Sequence, residues 1–211
     1  MLKLHGHPRS SCTKRVAVVL LEKGVPFELV PVVGPASKTP EYKANMQPFG
    51  QIPVLEDDGY FLYESRAIGR YIALKYRDQG TPGLIPEGDL KEIGYFERAL
   101  SIEMAQFMPA ELLVYEAVYK PYKGGKTDPE EVARLTAELA QKLDAYDQIL
   151  SKSKYLAGDT LTLADLYHLP YADMVTNMLK IDVLTNASAR PNVARWYQDI
   201  SSRKSWLAVK D

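Results

Sequence analysis

Between Asp78 and Asp89 lies a cluster of glycine and proline residues that divides this chain in two. Residues of these two types in such density interrupt helices and strands alike, so neither element is expected to cross the segment. We therefore predict a linker here, with a first domain over residues 1–79 and a second over residues 90–211. The cluster consists of Gly80, Pro82, Gly83, Pro86 and Gly88.

The first domain begins with strand and helix signals in alternation. Leu2–His5 is a short apolar stretch that predicts a strand, whereas Thr13–Lys23 is too long for one and predicts a helix. Gly24-Val25-Pro26 ends that helix, and the apolar, β-branched segment Phe27–Val33 predicts a second strand. These elements form a β-α-β unit, in which the two strands are expected to run parallel with a right-handed crossover.

A hairpin follows in the same domain. Asp57-Asp58-Gly59 is a turn signal between the apolar runs Pro53–Glu56 and Tyr60–Tyr63, which predicts two antiparallel strands. Apolar residues at helical spacing then predict a helix over about Ser65–Tyr76. The resulting order, β-α-β-α-β-β-α, is that of an α/β domain.

The second domain contains helix signals only, and we predict it to be all-α. Asp128 fits the N-cap of a long helix, with Pro129 at its first position and Glu131 completing a capping box. A second capping box pairs Thr162 with Asp165 and predicts the start of an internal helix. Apolar residues follow the first of these starts on one helix face, at Val132, Leu135, Leu139, Leu143, Tyr146 and Leu150.

The composition argues against several classes of function. Lys and Arg together number 26 against 27 Asp and Glu, so the net charge of −1 gives no basic surface for nucleic acid or an acidic membrane. The longest apolar run near the start, Val16–Leu21, is far shorter than the roughly 18 residues of a membrane span. Nothing before it resembles a signal peptide, and we expect a soluble, unsecreted protein without membrane or nucleic-acid partners.

Cysteine and histidine usage leads to a related expectation. Cys12 is the one cysteine, so no internal disulfide is expected. The histidines, His5, His7 and His168, do not have metal-ligand spacing alongside a cysteine pair. We expect a reducing compartment and no metal site.

The turn between the first strand and the first helix carries the first candidate site. Free N–H groups and the positive dipole end of a helix N-terminus favour an anion, including a thiolate. A hydroxyl there, from Ser10 or Ser11, can donate a charge-assisted hydrogen bond to that thiolate. A free thiol has a pKa of about 8.5, and each unit of depression corresponds to roughly 1.4 kcal/mol in favour of the reactive form. The alternative is that either serine only caps the helix.

Two further segments carry groups suited to a peptide-like ligand. If Ile52-Pro53 is a cis peptide bond, the Ile52 N–H and C=O point outward and can hold an extended peptide backbone. In Glu64-Ser65, the carboxylate can pair with a ligand ammonium and the hydroxyl can hold a ligand carboxylate. An ordinary loop and a simple helix cap are the alternatives at these two places.

These segments together resemble phi-class glutathione S-transferases, a class typical of plants with related forms in fungi. The resemblance implies a thioredoxin-like fold in the first domain, an all-helical second domain, and a cytoplasmic homodimer with its substrate cleft between the domains. The implied activity is conjugation of the glutathione thiolate to hydrophobic electrophiles, with hydroperoxide reduction as a further activity. The residues that carry it are Gly6-His7-Pro8 with Ser10 and Thr13, Lys38–Glu41, Pro48–Pro53, Phe61–Ile68, Tyr155–Asp159 and Leu163–Leu166.

The resemblance also implies roles for individual residues. Ser10 matches the serine that activates the glutathione thiol, and Ser11 and Cys12 are close enough in sequence to touch the same sulfur. Lys38 matches a lysine that holds the glycyl carboxylate, although Ser37 stands where a histidine often precedes it. The remaining matches are to residues that bind the tripeptide backbone, Gln51, Ile52 and Pro53, and its γ-glutamyl end, Glu64 and Ser65.

In the second domain, Asp165 matches a capping residue that the family uses in folding. The hydrophobic co-substrate is expected to bind against the first long helix of that domain. Aromatic residues and methionine make adaptable apolar walls, with core packing as the alternative for each of them. The residues expected to line the site are Phe107, Met108, Tyr115, Tyr119 and Tyr122.

Two other functions stay open. A non-catalytic ligand carrier or regulatory protein of the same fold would use the same cleft, but such proteins commonly lose the glutathione contacts that are present here. A glutathione-dependent thiol reductase would use Cys12. Relatives with that activity carry cysteine at the position of Ser10, and Cys12 has no Cys-x-x-Cys partner.

Overall fold

The glycine- and proline-rich segment separates two units in the computed structural model, which describes residues 1–211. One unit comprises Met1–Ile85 together with Lys204–Asp211, and the other comprises Pro86–Arg203. The break between Ile85 and Pro86 falls within the predicted linker. The second unit ends at Arg203, so the expectation that it runs to residue 211 is wrong for its last residues.

The first unit is built around a four-stranded sheet. Its strands follow the order β2-β1-β3-β4, in which β1 runs parallel to β2 and antiparallel to β3. The β3–β4 pair is the predicted antiparallel hairpin. The elements are β1 (Leu2–Gly6), α1 (Ser11–Glu22), β2 (Phe27–Pro31), a 3₁₀ turn (Gly34–Lys38), α2 (Pro40–Asn45), β3 (Val54–Asp57), β4 (Tyr60–Tyr63) and α3 (Ser65–Lys75).

The alternation of side chains along β1 fixes which face of the sheet is covered. Leu2 and Leu4 are buried, whereas Lys3 and His5 between them are partly exposed. The second strand is shorter than predicted and ends at Pro31. Proline has no backbone N–H to donate to a ladder, and the chain turns into the 3₁₀ segment from Gly34.

The regular elements of the second unit are all helices or helical turns. The elements are α4 (Leu90–Gln106), α5 (Met108–Val114), a π-helical turn (Tyr115–Tyr119), α6 (Lys120–Tyr122), α7 (Pro129–Leu150), α8 (Leu163–Asp173), a second π-helical turn (Met174–Met178), a 3₁₀ turn (Asp182–Leu184) and α9 (Pro191–Ser201). The all-α prediction for this part of the chain is therefore confirmed. None of the helices combines the length and the apolar character that crossing a bilayer requires.

Helix α7 has the predicted start and buried face. The Asp128 carboxylate accepts from the N–H groups of Glu130 at 3.0 Å and Glu131 at 3.4 Å. The Glu131 carboxylate does not complete a capping box but binds Arg134 at 2.7 Å, so that half of the prediction is wrong. Five of the six predicted apolar positions are buried, namely Leu135, Leu139, Leu143, Tyr146 and Leu150, and Val132 is partly exposed.

Helix α8 begins with the predicted capping box of Thr162 and Asp165. The Asp165 carboxylate is fully buried and also accepts from the Leu156 N–H at 3.1 Å and the Trp196 indole at 2.9 Å. The carboxylate thereby joins the start of α8, the preceding loop and α9. Its predicted structural role is consistent with this geometry.

The last helix, α10 (Lys204–Leu207), packs in the first unit rather than in the second. Ser205 donates a hydrogen bond to the Glu22 carboxylate at the end of α1, and Lys14 donates one to the Lys210 carbonyl. Trp206 of the same helix is 1% exposed. A segment distant in sequence therefore completes the core beside α1.

Candidate active site

The turn between β1 and α1 is held tightly against the first turn of the helix. A Cβ atom on Gly6 would lie 2.6 Å from Thr13 Oγ1, which is too close for any side chain. Thr13 Oγ1 accepts from the His7 N–H at 3.3 Å, and His7 Nδ1 accepts from the Arg9 N–H at 3.2 Å. His7 therefore orients the turn through these hydrogen bonds.

Ser10 lies at the N-cap of α1, where its Oγ accepts from the Thr13 N–H at 3.3 Å. Capping occupies a lone pair of the hydroxyl oxygen and leaves the hydroxyl hydrogen available to donate. The side chain is partly exposed at the end of a 12-residue helix. Capping and thiolate binding, which the sequence presented as alternatives, are therefore compatible in one serine.

The two neighbours of Ser10 differ in exposure. Ser11 is 5% exposed, and Cys12 is partly exposed with its Sγ 3.5 Å from Arg15 Nη1. The structure thus places Ser10 and Cys12 within reach of solvent and Ser11 largely beneath the surface.

The second segment has the cis bond on which its predicted role depends, between Ile52 and Pro53. Ahead of it, Gly50 has a positive φ of 64°, and a Cβ there would lie 2.7 Å from the Ser37 carbonyl oxygen. Only glycine is compatible with this backbone. The Ile52 N–H and C=O make no hydrogen bond within the protein and are available to a ligand backbone.

Two side chains that the sequence reasoning did not assign fix Gln51 in place. The Tyr42 hydroxyl donates to the Gln51 carbonyl at 2.9 Å, and burial raises the pKa of Tyr42, which keeps the hydroxyl protonated. The buried Gln47 amide oxygen accepts from the Gln51 N–H at 3.0 Å. The Gln51 side chain itself is exposed. Tyr42 lies on α2, and Gln47 follows two residues after the end of that helix.

Lys38 lies beside this loop. Its ammonium donates to the Gly50 carbonyl at 2.6 Å, and the side chain is exposed. An ammonium group has three donors, so two remain for a ligand anion.

The third segment begins α3. Glu64 has φ 70° and ψ 106°, a conformation that non-glycine residues rarely adopt and that occurs mostly at functional sites. Its carboxylate is exposed, whereas Ser65 is 6% exposed and accepts from Arg15 Nη1 at 3.0 Å. An exposed carboxylate thus stands directly beside a hydroxyl backed by a buried guanidinium.

The five residues expected to bind the hydrophobic co-substrate do not share one environment. Phe107 is 3% exposed and packs against the rings of His168 and Tyr146, with centroids 4.6 Å and 6.3 Å away. Phe107 is therefore a core residue in this structure and does not line a substrate site. The other four residues are exposed or partly exposed, namely Met108, Tyr115, Tyr119 and Tyr122.

Tyr115 and Tyr119 lie on the first π-helical turn, Tyr122 ends the adjacent α6, and Met108 begins α5. The Tyr119 hydroxyl contacts Met174 Sδ at 3.8 Å, so it joins the two π-helical turns of the unit. The Lys123 ammonium lies 5.2 Å from the Tyr115 ring centroid. Turns of π-helix are uncommon and occur frequently at functional sites. A separate surface groove of about 450 Å³ lies along α9 between Thr185 and Ser201, and no predicted site residue lines it.

Comparison with known proteins identifies the family. The sequence pattern of the glutathione S-transferase N-terminal domain matches residues 4–80, and that of the C-terminal domain matches residues 106–204. The chain belongs to the glutathione S-transferase family. Its activity is that of a glutathione transferase, and glutathione is its co-substrate.

Individual relatives support the class. Glutathione S-transferase PM239X14 of Arabidopsis thaliana is 44% identical over 93% of this chain and 89% of its own length. Glutathione S-transferase hmp2 of Hypomyces subiculosus is 42% identical over 98% of this chain and 96% of its own length. These similarities to plant transferases, with a fungal relative, confirm the phi class expected from the sequence.

Solved structures agree with the fold. Glutathione transferase F7 from Populus trichocarpa is 40% identical and has a TM-score of 0.90, over 99% of this chain and 97% of that chain. Glutathione S-transferase I from maize, solved with an atrazine glutathione conjugate, has a TM-score of 0.87 at 32% identity, over 99% and 96% of the two chains. The thioredoxin-like first unit and the helical second unit are thereby confirmed for this transferase.

Proposed function

We propose that Ser10 is the catalytic residue of this transferase and that its hydroxyl donates a hydrogen bond to the glutathione sulfur. The observation that carries the proposal is the hydrogen bond from the Thr13 N–H to Ser10 Oγ at 3.3 Å. Because the oxygen accepts from the helix, the hydroxyl hydrogen is directed away from the backbone and can meet a thiolate. The N-terminus of α1 adds a favourable potential for the same negative charge.

The rest of the tripeptide is proposed to bind along the segments that follow. Ile52, with its unpaired N–H and C=O ahead of Pro53, offers the backbone groups for the cysteinyl part of glutathione. Gln51 is assigned to the same tripeptide backbone, the Lys38 ammonium to the glycyl carboxylate, and Glu64 and Ser65 to the γ-glutamyl end. Ser11 is the remaining proposed contact, through the N–H groups of the first helical turn.

The reaction then joins the thiolate to an electrophile. The sulfur lone pair forms a bond to an electrophilic carbon while the leaving group departs with the bonding electrons. With a hydroperoxide, the sulfur attacks the terminal oxygen, the O–O bond breaks, and the alkoxide leaves and takes a proton from water to become an alcohol. The resulting glutathione sulfenic acid then condenses with a second glutathione to give the disulfide and water. Holding both reactants in place removes much of the entropic part of the barrier. We assign the apolar co-substrate to Met108, Tyr115, Tyr119 and Tyr122, and leave Phe107 out because its ring is buried in the core.

A Ser10→Ala variant tests the catalytic assignment. Loss of one preorganised donor to a developing or bound anion should lower kcat by about 100-fold, while the dissociation constant for glutathione changes by less than about threefold. The ultraviolet absorbance of the bound thiolate, followed against pH, should show a higher thiol pKa in the variant. Cys12→Ser is the matched control, and it should retain turnover.

Two outcomes would contradict the assignment. Full activity of Ser10→Ala toward an aryl halide would show that another group activates the sulfur. Loss of activity in Cys12→Ser, while Ser10→Ala keeps its activity, would favour thiol reductase chemistry at Cys12. Isothermal titration of the wild-type protein with glutathione tests binding independently, and an absence of binding would favour the non-catalytic carrier.

We further propose a homodimer in the cytoplasm, as in the class that the chain resembles. Phe49 supports the dimer, because this aromatic side chain is 67% exposed next to the buried Gly50. Aromatic side chains are enriched at protein interfaces relative to the rest of the surface. Sedimentation velocity should give a dimer for the wild type and a shift toward monomer for Phe49→Ser. Imaging of a fluorescent fusion tests the location.

A further inference from the structure

Arg15 is a charged residue buried in the core of the first unit. It lies on α1 and has no exposed surface, although a guanidinium is always ionised at physiological pH. Moving an ion out of water is costly unless hydrogen bonds and other charges compensate it. A buried arginine directly behind the proposed binding surface therefore requires a physical explanation.

The contacts of Arg15 Nη1 point toward the site. This nitrogen is 3.0 Å from Ser65 Oγ, on α3, and 3.5 Å from Cys12 Sγ, on the first turn of α1. The guanidinium thus joins the two helices whose N-termini carry the proposed glutathione contacts. The hydrogen bond to Ser65 lies within the usual range for N–H donors, whereas the one to Cys12 is longer because the acceptor is sulfur.

The chemistry of the two groups fixes the direction of the hydrogen bond. Arginine has donors only, so Ser65 Oγ is the acceptor. The single hydroxyl hydrogen of Ser65 is then directed elsewhere, where it can only donate. A donor with a positive charge behind it matches a carboxylate and does not match an ammonium.

We propose that Arg15 is a positioning residue that orients the Ser65 hydroxyl as a donor to the α-carboxylate of the γ-glutamyl group of glutathione. The inference rests on the proposed function, in which Ser65 binds that end of the tripeptide. It adds Arg15, which acts through Ser65, to the pairing that the sequence predicts for Glu64 and Ser65. The exposed Glu64 carboxylate takes the ammonium, and the Arg15–Ser65 pair takes the carboxylate.

The test compares glutathione with an analogue whose γ-glutamyl α-carboxylate is replaced by a carboxamide. The ratio of the two KM values measures recognition of the negative charge and does not depend on the fraction of folded enzyme. In wild type the ratio should favour glutathione strongly. In Arg15→Met it should fall about tenfold, through a higher KM for glutathione, with kcat within about twofold of wild type.

Three variants separate positioning from a structural effect. Ser65→Ala should give a similar loss of discrimination, and the Arg15→Met/Ser65→Ala double variant should be no worse than Ser65→Ala by more than about twofold, because the two residues act through one hydroxyl. Arg15→Lys, which keeps the charge and a donor, should be intermediate. Lys14→Met is the control, since it removes a neighbouring charge on α1 that contacts the Lys210 carbonyl instead.

Several results would overturn the inference. One is a KM ratio in Arg15→Met equal to that of wild type. Another is a double variant in which the losses of discrimination of the two single variants add. If Arg15→Met does not fold, an Arg15→Lys ratio equal to that of wild type would also overturn it. Failure of the proposed function is distinguishable, because Ser65→Ala itself would then discriminate between the two ligands as strongly as wild type.

Discussion

The starts of α1 and α8 use the same kind of cap in different ways. At α8, Asp165 and Thr162 are buried, and the Asp165 carboxylate accepts from Leu156, Thr162 and Trp196. At α1, Ser10 is partly exposed and accepts one long hydrogen bond from Thr13. The carboxylate at the start of α8 thus has several hydrogen-bond donors around it, whereas the Ser10 hydroxyl at the start of α1 accepts one bond and keeps its hydrogen available to donate.

This difference indicates what each start contributes. A saturated buried cap stabilises the fold, because every donor around it would otherwise be left without a partner in the core. An open cap contributes little to stability and can bind a ligand. A capping residue in a sequence therefore says that a helix begins, and burial decides whether the same group is also available for chemistry.

Asp165→Ala should have the largest effect on stability. It removes the acceptor of buried donors on Leu156, Thr162 and Trp196, and should lower the free energy of unfolding by about 3–5 kcal/mol. Urea denaturation followed by circular dichroism measures the change. A loss below about 1 kcal/mol would mean that the buried cap is not the stabilising one, and the contrast with Ser10 would fail.

Asp57→Asn measures the effect of a buried carboxylate that is not a helix cap, because Asp57 is 8% exposed and caps no helix. Hydrogen bonds from Lys75 and then Tyr71 hold the pKa of Asp57 below its ordinary value. The pKa of Asp57 is lower in the folded state than in the unfolded state. The interaction therefore stabilises the folded protein at pH values above the unfolded-state pKa of about 3.9, and this stabilisation is lost as the pH falls through the folded-state pKa.

The variant should therefore be less stable than wild type by about 1–2 kcal/mol at neutral pH. The difference should shrink as the pH falls below about 4. Denaturation curves for both proteins at several pH values check this. A difference that stays constant with pH would show that the carboxylate charge is not what stabilises this position.

Asp128→Ala should have the smallest effect and serves as the exposed counterpart of Asp165. The carboxylate accepts from Glu130 and Glu131 at the surface, so its loss should cost about 1 kcal/mol. The same denaturation experiment measures it. If Asp128→Ala proved as damaging as Asp165→Ala, burial would not explain the difference between caps.

Much of the fold follows from the sequence because its signals are local. The period of the α7 leucines, the Thr162–Asp165 pair and the turn at Asp57-Asp58-Gly59 all act within a few residues, and the structure contains the elements they predict. The errors have local causes as well. Pro31 shortens β2, and Arg134 attracts the carboxylate of Glu131 away from the helix start.

The parts of the site that the sequence did not provide depend on contacts between distant residues. Arg15 reads as one more polar position of an amphipathic helix, and only the packing of α1 on α3 brings it to Ser65, 50 residues away. Tyr42 and Gln47 likewise gain meaning only from the fold of the loop around Gln51. For Phe107, residue type suggested a pocket wall, but its neighbours His168 and Tyr146 place it in the core.

The return of α10 to α1 has a consequence for biosynthesis. The ribosome synthesises the strands on either side of Ser10 early, whereas Trp206 and the partners of Glu22 and Lys14 follow only after the whole second unit. The first unit therefore cannot complete its core until the second unit has been synthesised. In a nascent chain halted before residue 204, the side of α1 that packs against α10 would be exposed to solvent.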